Sequence, residues 1–175
     1  TSIKNMISEM EKDPEVGVVG ARLLYTGTNR LQHAGVIFDA QYRAPFHLRS
    51  GQESDANSEK NRYFQVITGA LLLTKFKYCK DLNKNKSGLN FYDENFRWSF
   101  DDVDFCLSIK YNLNKKILYC GKTNVFHEES ASLKKNPVNK LFMNHNLDLL
   151  RSKWMDKIIF DRSIYEKDPN YNLAE

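Results

Sequence analysis

Three carboxylates open a helical segment in the middle of the chain. Asp101, Asp102 and Asp104 precede an apolar pattern at helical spacing, which predicts a largely buried helix. An acidic cluster at the mouth of a buried helix is costly unless a positive partner compensates it. That partner is a metal ion, a hydroxyl group that gives up its proton, or the N-terminus of the helix itself. The first two partners would make the cluster a site for chemistry.

The same cluster also has a purely structural interpretation. Ser99 is a suitable N-cap, and Asp102 then occupies the third helical position, as in a capping box. Capping boxes use Glu or Gln, however, and three neighbouring carboxylates exceed what capping requires and repel one another. Both interpretations stay open at this point, and the excess of charge favours a chemical role.

Composition limits the classes of protein that remain. The chain has 175 residues, of which 41% are hydrophobic and 13% aromatic, and this predicts one globular domain. The formal charge of +4 is spread over interspersed residues, which allows a weak preference for anionic partners, including a membrane surface. No basic stripe is interleaved with aromatics, so nucleic-acid binding is not indicated. Three cysteines without a Cys-x-x-Cys pair predict buried, reduced thiols in a cytosolic protein.

The elements around the acidic cluster alternate between helix and strand, which predicts an α/β layered domain. No apolar run reaches the length of a membrane span and no secretion signal is visible. Because the chain begins without Met inside a predicted helix, we expect a piece of a longer protein. The first predicted elements are a helix stopped by Asp13 and Pro14, strands at 16–25 and 31–38, and a polar loop at 39–62. One strand at 64–73, interrupted at residues 68–69, and a short helix at 75–81 follow. The helix opened by the aspartates and running through Leu113, strands at 116–120 and 123–128, and a last helix capped by Asn136 complete the prediction.

Six segments in a fixed order resemble family 2 glycosyltransferases of the GT-A fold, especially rhamnosyl- and galactofuranosyl-transferase-like members. The resemblance covers roughly residues 15–154. The segments are VGVVGARLLY (16–25), QHAG (32–35), TGALLL (68–73), FYDENF (91–96), DDVDFC (101–106) and VFHEES (125–130).

The resemblance implies a partial GT-A (nucleotide-diphospho-sugar transferase) fold with a mixed sheet flanked by helices. Residues 1–160 would form the C-terminal, acceptor- and metal-side portion, residues 161–175 a polar tail, and the N-terminal nucleotide-binding half would be absent. It implies inverting transfer from a nucleotide-sugar donor to a saccharide or lipid-linked acceptor. A cytoplasmic location, with peripheral association at the inner face of the membrane, would suit the synthesis of a surface polysaccharide.

The resemblance also implies roles for individual residues. Asp102 would be the general base that deprotonates the acceptor, and Asp101 its neighbour that orients the acceptor. His127 would complete the site of a divalent metal, Mn²⁺ or Mg²⁺, whose other ligands lie outside this chain and which stabilises the leaving diphosphate. Substrate contacts would come from Trp98, Asp104 and the loop residues Thr68, Gly69 and Ala70.

Other interpretations of the sequence remain open. In a non-catalytic saccharide- or protein-binding module, the carboxylates would only cap the helix. A metal-dependent hydrolase would need a second cluster of metal ligands, and none is visible. His33 is expected to be structural, and Arg43, His47 and Arg49 to lie in a solvated loop or to meet phosphate or acceptor. Loss of a neighbouring half would leave a sheet edge unpaired, which makes self-association plausible.

Overall fold

A computed structural model describes residues 2–83, 91–128, 141–168 and 170–173 of the chain. The structure is α/β, with a mixed sheet flanked by helices, which confirms the predicted class. Its helices are α1 (Ser2–Lys12), α2 (Phe76–Leu82), α3 (Asp101–Asn112), α4 (Phe142–Trp154) and α5 (Arg162–Lys167), with a short 3-10 helix at Gly69–Leu71. Its strands are β1 (Val16–Tyr25), β2 (Leu31–His33), β3 (Val36–Asp39), β4 (Ala44–His47), β5 (Arg62–Phe64), β6 (Leu72–Thr74) and β7 (Lys116–His127).

Strand β1 lies at the centre of the sheet. It pairs in parallel with β7 along its length and antiparallel with β2 and β6 on its other side, while β5 closes the edge beyond β7. Nearly every residue of β1 is buried, because α1 covers one face of the sheet and the main core lies on the other. This two-sided burial explains the almost unbroken apolar run in the sequence.

Helix α3 packs within the larger of two hydrophobic cores. Its buried residues Val103, Phe105, Leu107 and Ile109 share this core with β7 and α4. A smaller core on the opposite face contains the α1 methionines. Burial of α3 therefore fixes its N-terminus, which carries the carboxylates, against the sheet.

Several element boundaries differ from the sequence prediction. The polar loop predicted at 39–62 contains β4, which forms a hairpin with β3. The two strands predicted at 116–120 and 123–128 are one strand, β7, whose register against β1 shifts after Cys120. The predicted start of the last helix at Asn136 lies outside the described residues, and the described helix begins at Phe142. Periodicity alone did not show β4, because this strand has only four residues, includes Pro45 and lies within a polar stretch.

The segment after Asp161 is tied to the core, although its polar sequence predicts a surface or mobile tail. Asp161 is fully buried and accepts hydrogen bonds from the backbone N–H of Phe38 at 2.8 Å and from Nε2 of Gln65 at 2.8 Å. Burial raises the pKa of this carboxyl above its usual range. Helix α5 follows directly, and its Tyr165 stacks on Phe64.

Replacing Asp161 by Ala is expected to lower the free energy of unfolding by about 2–5 kcal/mol, because the buried N–H of Phe38 loses its acceptor and Gln65 loses one of its two acceptors. Urea denaturation of the 175-residue chain measures the change. Asp156→Ala, at an exposed carboxylate nearby, is the control and should change stability by less than about 0.5 kcal/mol. Equal losses in both variants would contradict a structural role for Asp161.

All three cysteines, Cys79, Cys106 and Cys120, are buried and unpaired, as the sequence predicts. Among the described residues, no helix combines the length and the apolar character needed to cross a membrane.

Candidate active site

A cavity of about 500 Å³ opens at the N-terminus of α3. Four parts of the chain line it: the β3–β4 hairpin through Val36 and residues 45–47, the loop at Thr68, residues 98–103, and the end of β7 at His127 and Glu128. Parallel pairing of β1 with β7 brings the end of β7 to this edge of the sheet.

Of the eight residues to which the resemblance assigns a site role, five line this cavity and three do not. The lining residues are Thr68, Trp98, Asp101, Asp102 and His127. Gly69 touches the cavity only through its hydrogen bond to Asp102, Ala70 is exposed without lining the cavity, and Asp104 lines a different cavity.

Asp102 is held by the backbone on both sides. Its Oδ2 accepts a hydrogen bond from the N–H of Gly69 at 2.6 Å, and its Oδ1 accepts one from the N–H of Val103 at 2.8 Å. A Cβ on residue 69 would lie 2.9 Å from the Asp102 Cβ, so only glycine lets this loop approach so closely. Burial raises the pKa of Asp102, and the hydrogen bonds oppose this rise.

Asp101 stands beside Asp102 on the cavity wall. Burial raises the pKa of its carboxyl first, and the negative charge of Asp102 raises it further. A raised pKa makes a carboxylate a stronger base, which is the property that a general base requires. The pair therefore has the electrostatic character of a general base and its neighbour.

In a carboxyl NMR titration, Asp101 is expected to titrate above the ordinary aspartate value of about 3.9, and to move back toward it in Asp102→Asn. The folded state then holds this proton more tightly than the unfolded chain. The carboxyl consequently stabilises the fold below its unfolded pKa and loses that contribution as pH rises through the folded pKa. Asp55, whose pKa the Arg49 guanidinium lowers, is the internal control. Titration of Asp101 at or below the ordinary value would contradict the assignment.

The backbone before α3 is strained. Trp98 and Phe100 both have positive φ, at 79° and 64°, although neither is glycine. Each such residue costs on the order of 1–2 kcal/mol, and such strain tends to be found where a site fixes its geometry. The predicted N-cap at Ser99 is wrong: the capping position is Phe100, and no side chain caps the helix there. Asp102 therefore contacts Gly69 and Val103 instead of closing a capping box.

Asn146 holds this strained segment in place, and sequence reasoning missed it. It is fully buried on α4, and its Nδ2 donates to the carbonyl of Arg97 at 2.7 Å and to the carbonyl and hydroxyl of Ser99 at 3.0 Å. Its Oδ1 accepts from the N–H of Arg97 at 3.3 Å. The only sequence signal is a polar residue at a position where the periodicity of α4 predicts burial.

Asn146→Ala is expected to cost about 1–3 kcal/mol of stability and to alter the fluorescence of Trp98, because the carbonyls of Arg97 and Ser99 lose their donor. Emission spectra compared with those of Trp98→Phe isolate the signal of this indole. Asn144→Ala, at an exposed amide on the same helix, should leave both properties unchanged. If Asn146→Ala lowers stability but leaves the Trp98 emission unchanged, Asn146 does not position the segment that carries Trp98.

Two histidines in the cavity are oriented by adjacent residues of β2. The Nδ1 of His127 donates to Oε1 of Gln32 at 2.8 Å, which leaves Nε2 with a lone pair when the ring is neutral. The Nδ1 atoms of His33 and His47 lie 3.0 Å apart. His33 is fully buried, and burial lowers its pKa well below the usual range, so that ring stays neutral and structural.

The two arginines predicted in the long loop do not line this cavity. Arg49 forms an ion pair with Asp55 at 2.7 Å. The carbonyl of Arg43 accepts a hydrogen bond from Arg151 at 3.3 Å. Of the three loop residues singled out from the sequence, His47 alone reaches the cavity.

Asp104 faces away from this cavity. It is buried, accepts from Nε1 of Trp154 at 2.7 Å and pairs with Nζ of Lys153 at 2.6 Å. Lys153 also pairs with Asp93 at 2.8 Å. These contacts attach α4 to α3, and they place Asp104 outside the cavity that Asp101 and Asp102 line.

Within the described ranges, no three His, Cys, Asp or Glu side chains are grouped as a metal site requires. His127 and the nearby carboxylates are suitable donor types for Mn²⁺ or Mg²⁺ but do not form a complete ligand set among these residues. No protein-family model, curated protein or solved structure matches this chain significantly.

Proposed function

We propose that this chain is the acceptor-side part of a family 2-like glycosyltransferase that moves a sugar from a nucleotide-sugar donor to a saccharide acceptor with inversion. One observation carries the proposal: Asp101, Asp102, Trp98, Thr68 and His127, which lie in three separate segments of the sequence, line one cavity. A cavity of about 500 Å³ is in the size range of small-molecule sites. The GT-A assignment of the α/β fold is part of this proposal.

In the proposed mechanism, Asp102 removes the proton of the acceptor hydroxyl as that oxygen attacks the anomeric carbon of the donor. The bond from this carbon to the diphosphate oxygen breaks, and the nucleoside diphosphate leaves with the electron pair from the opposite face. The backbone N–H groups of Gly69 and Val103 each donate to one Asp102 oxygen and hold this carboxylate on the cavity wall. Burial raises the pKa of this carboxyl, which strengthens it as a base. Asp101 accepts a hydrogen bond from a second hydroxyl of the acceptor sugar and so orients that sugar. The indole of Trp98, which is 37% exposed, offers an apolar face to the sugar ring.

A divalent metal remains part of the proposal as a group held jointly by His127 and by ligands outside this chain. Because the described residues do not supply a complete ligand set, no step of the mechanism above depends on it. The positive N-terminus of α3 stabilises the two carboxylates in its place. Synthesis of a surface polysaccharide, a lipid-linked acceptor and a location at the inner face of the membrane belong to the same proposal.

A second candidate, a non-catalytic saccharide-binding module, is favoured by the two backbone hydrogen bonds of Asp102. Both of its oxygens hold neighbouring backbone N–H groups, which is what a purely structural carboxylate would do. In this alternative the cavity binds sugar without transferring it.

The experiment that tests the proposal supplies nucleotide-sugars, Mn²⁺ or Mg²⁺ and a panel of saccharides to the protein that contains this chain. Release of nucleoside diphosphate that depends on the saccharide supports a transferase. Saccharide binding without turnover supports the binding module. Absence of both saccharide binding and turnover would reject both candidates. The same assay on Glu53→Gln, at an exposed side chain in an ion pair outside the cavity, is the control.

A further inference from the structure

The charge of the candidate cavity is opposite to that of the whole chain. Three carboxylates, Asp101, Asp102 and Glu128, are among the residues that line it, together with two imidazoles, His47 and His127. No Lys or Arg occurs among the described residues on its wall. The chain as a whole carries a formal charge of +4. The described part of the cavity wall therefore carries three acidic side chains and no Lys or Arg to balance them.

Local contacts compensate only part of this charge. The backbone N–H groups of Gly69 and Val103 donate to Asp102, and the N-terminus of α3 adds about half a positive charge nearby. Glu128 is exposed at the rim, and the pKa of Asp101 is raised partly because the Asp102 charge is incompletely screened. His33, behind His47, is buried and neutral and contributes no positive charge.

The hydrogen-bonding character of the wall agrees with its charge. Ionised carboxylates only accept hydrogen bonds, so the ligand has to present donors to Asp101 and Asp102. Sugar hydroxyls donate, and a bond from a hydroxyl to a carboxylate is short and strong. A uronate or phosphate group on the ligand would bring acceptors and a like charge to the same wall, where low solvent exposure increases the repulsion.

We propose that the cavity selects a saccharide without acidic groups at the position facing Asp101 and Glu128. This inference rests on the proposed saccharide-binding function and adds the substrate class to it. A neutral pyranoside is expected to bind at least about tenfold more tightly than the matching uronide, which corresponds to about 1.4 kcal/mol. Amino sugars, which carry a positive charge, bind at least as tightly as neutral ones.

The first experiment measures the charge of the cavity without any sugar. Trp98 lines the cavity and is 37% exposed, whereas the other tryptophan, Trp154, is 4% exposed. Its quenching by iodide, caesium and acrylamide is recorded in metal-free buffer at constant ionic strength and normalised to N-acetyltryptophanamide. Trp98→Phe supplies the Trp154 background. Normalised caesium quenching is expected to exceed iodide quenching by about threefold or more, since anions are depleted near an acidic wall.

Charge-neutralising variants then test the origin of that preference. Asp101→Asn combined with Glu128→Gln should raise iodide quenching toward the caesium value. Asp148→Asn, at a carboxylate whose side chain is 75% exposed on α4, should leave both constants unchanged. Iodide quenching equal to or above caesium quenching in the unsubstituted chain would overturn this inference. It would leave the proposed function untouched, because sugar binding plays no part in this measurement.

The second experiment measures selectivity by saturation-transfer NMR with three methyl glycosides of one ring: a glucoside, a glucuronide and a glucosaminide. Weaker binding of the glucuronide, relieved in the double variant, supports the inference. Binding of the glucuronide as tight as that of the glucoside would overturn it and leave saccharide binding intact. Failure of all three glycosides, and of a wider neutral glycan panel, would overturn the proposed function and this inference together.

Discussion

Asp102→Asn is expected to reduce the rate of the proposed sugar transfer by about 10²–10⁴-fold, the range that a general base contributes. The amide cannot take the proton of the acceptor hydroxyl. Binding of the donor should change little, because Asp102 acts on the acceptor side in the proposed mechanism. Initial rates at saturating donor, and a separate donor-binding titration, measure the two effects.

The pH dependence of sugar transfer provides a second test of Asp102 as the general base. Because burial raises the pKa of Asp102, transfer should fall as the pH is lowered through that raised value, above the usual range for aspartate. This acidic limb should be absent from the residual activity of Asp102→Asn.

Asp101→Asn is the matched control for this variant. It removes the neighbouring carboxylate but keeps the base and both backbone hydrogen bonds of Asp102, so a loss of about tenfold is expected from poorer orientation of the acceptor. Asp102→Asn also places an amide NH₂ near a backbone donor, which costs about 1–3 kcal/mol of stability, and circular dichroism must therefore show a folded variant. Full turnover by a folded Asp102→Asn variant would contradict the assignment of Asp102 as the general base.

Asp104→Ala is expected to lower the free energy of unfolding by about 2–4 kcal/mol, without loss of saccharide binding. The change leaves Nε1 of Trp154 without its acceptor and leaves Lys153 with Asp93 alone. Breaking a buried pair by removing one partner costs about 3–5 kcal/mol, and the 31% exposure of the Lys153 side chain reduces this figure. Chemical denaturation measures the loss.

A double variant separates the ion pair from the other effects of this change. Asp104→Leu with Lys153→Met replaces both partners by apolar side chains of similar size, and it should recover part of the stability lost in Asp104→Ala. Normal stability of Asp104→Ala together with weakened saccharide binding would instead support the substrate contact that the family resemblance implied for Asp104.

The sequence predicted the elements that are fixed by local patterns. The apolar run of β1 indicated a strand buried on both faces, and the spacing from Val103 to Ile109 indicated the buried face of α3. Both patterns indicate burial directly, because the repeat of side-chain directions along a helix or strand determines which residues share its buried face. The acidic cluster was visible for the same reason, since charged residues at the start of an apolar helix contradict that pattern.

The parts of the site that sequence reasoning missed depend on contacts between distant residues. Asn146 reaches Ser99 across 47 positions, and Gln32 reaches His127 across 95. An isolated Asn or Gln gives no periodic signal, and its partner is set by how helices and strands pack. The β3–β4 hairpin, which brings His47 to the cavity, was hidden in a polar stretch for the same reason.

By itself, the sequence determined an α/β chain with carboxylates at the entrance of a buried helix, since composition and periodicity are properties of neighbouring residues. Tertiary structure alone decided which of those carboxylates face a cavity. Successive residues of a helix point about 100° apart, so Asp101 and Asp102 line the cavity while Asp104 turns into the core toward Lys153 and Trp154. Which direction is cavity and which is core depends on what packs against α3, and that is a property of the whole fold.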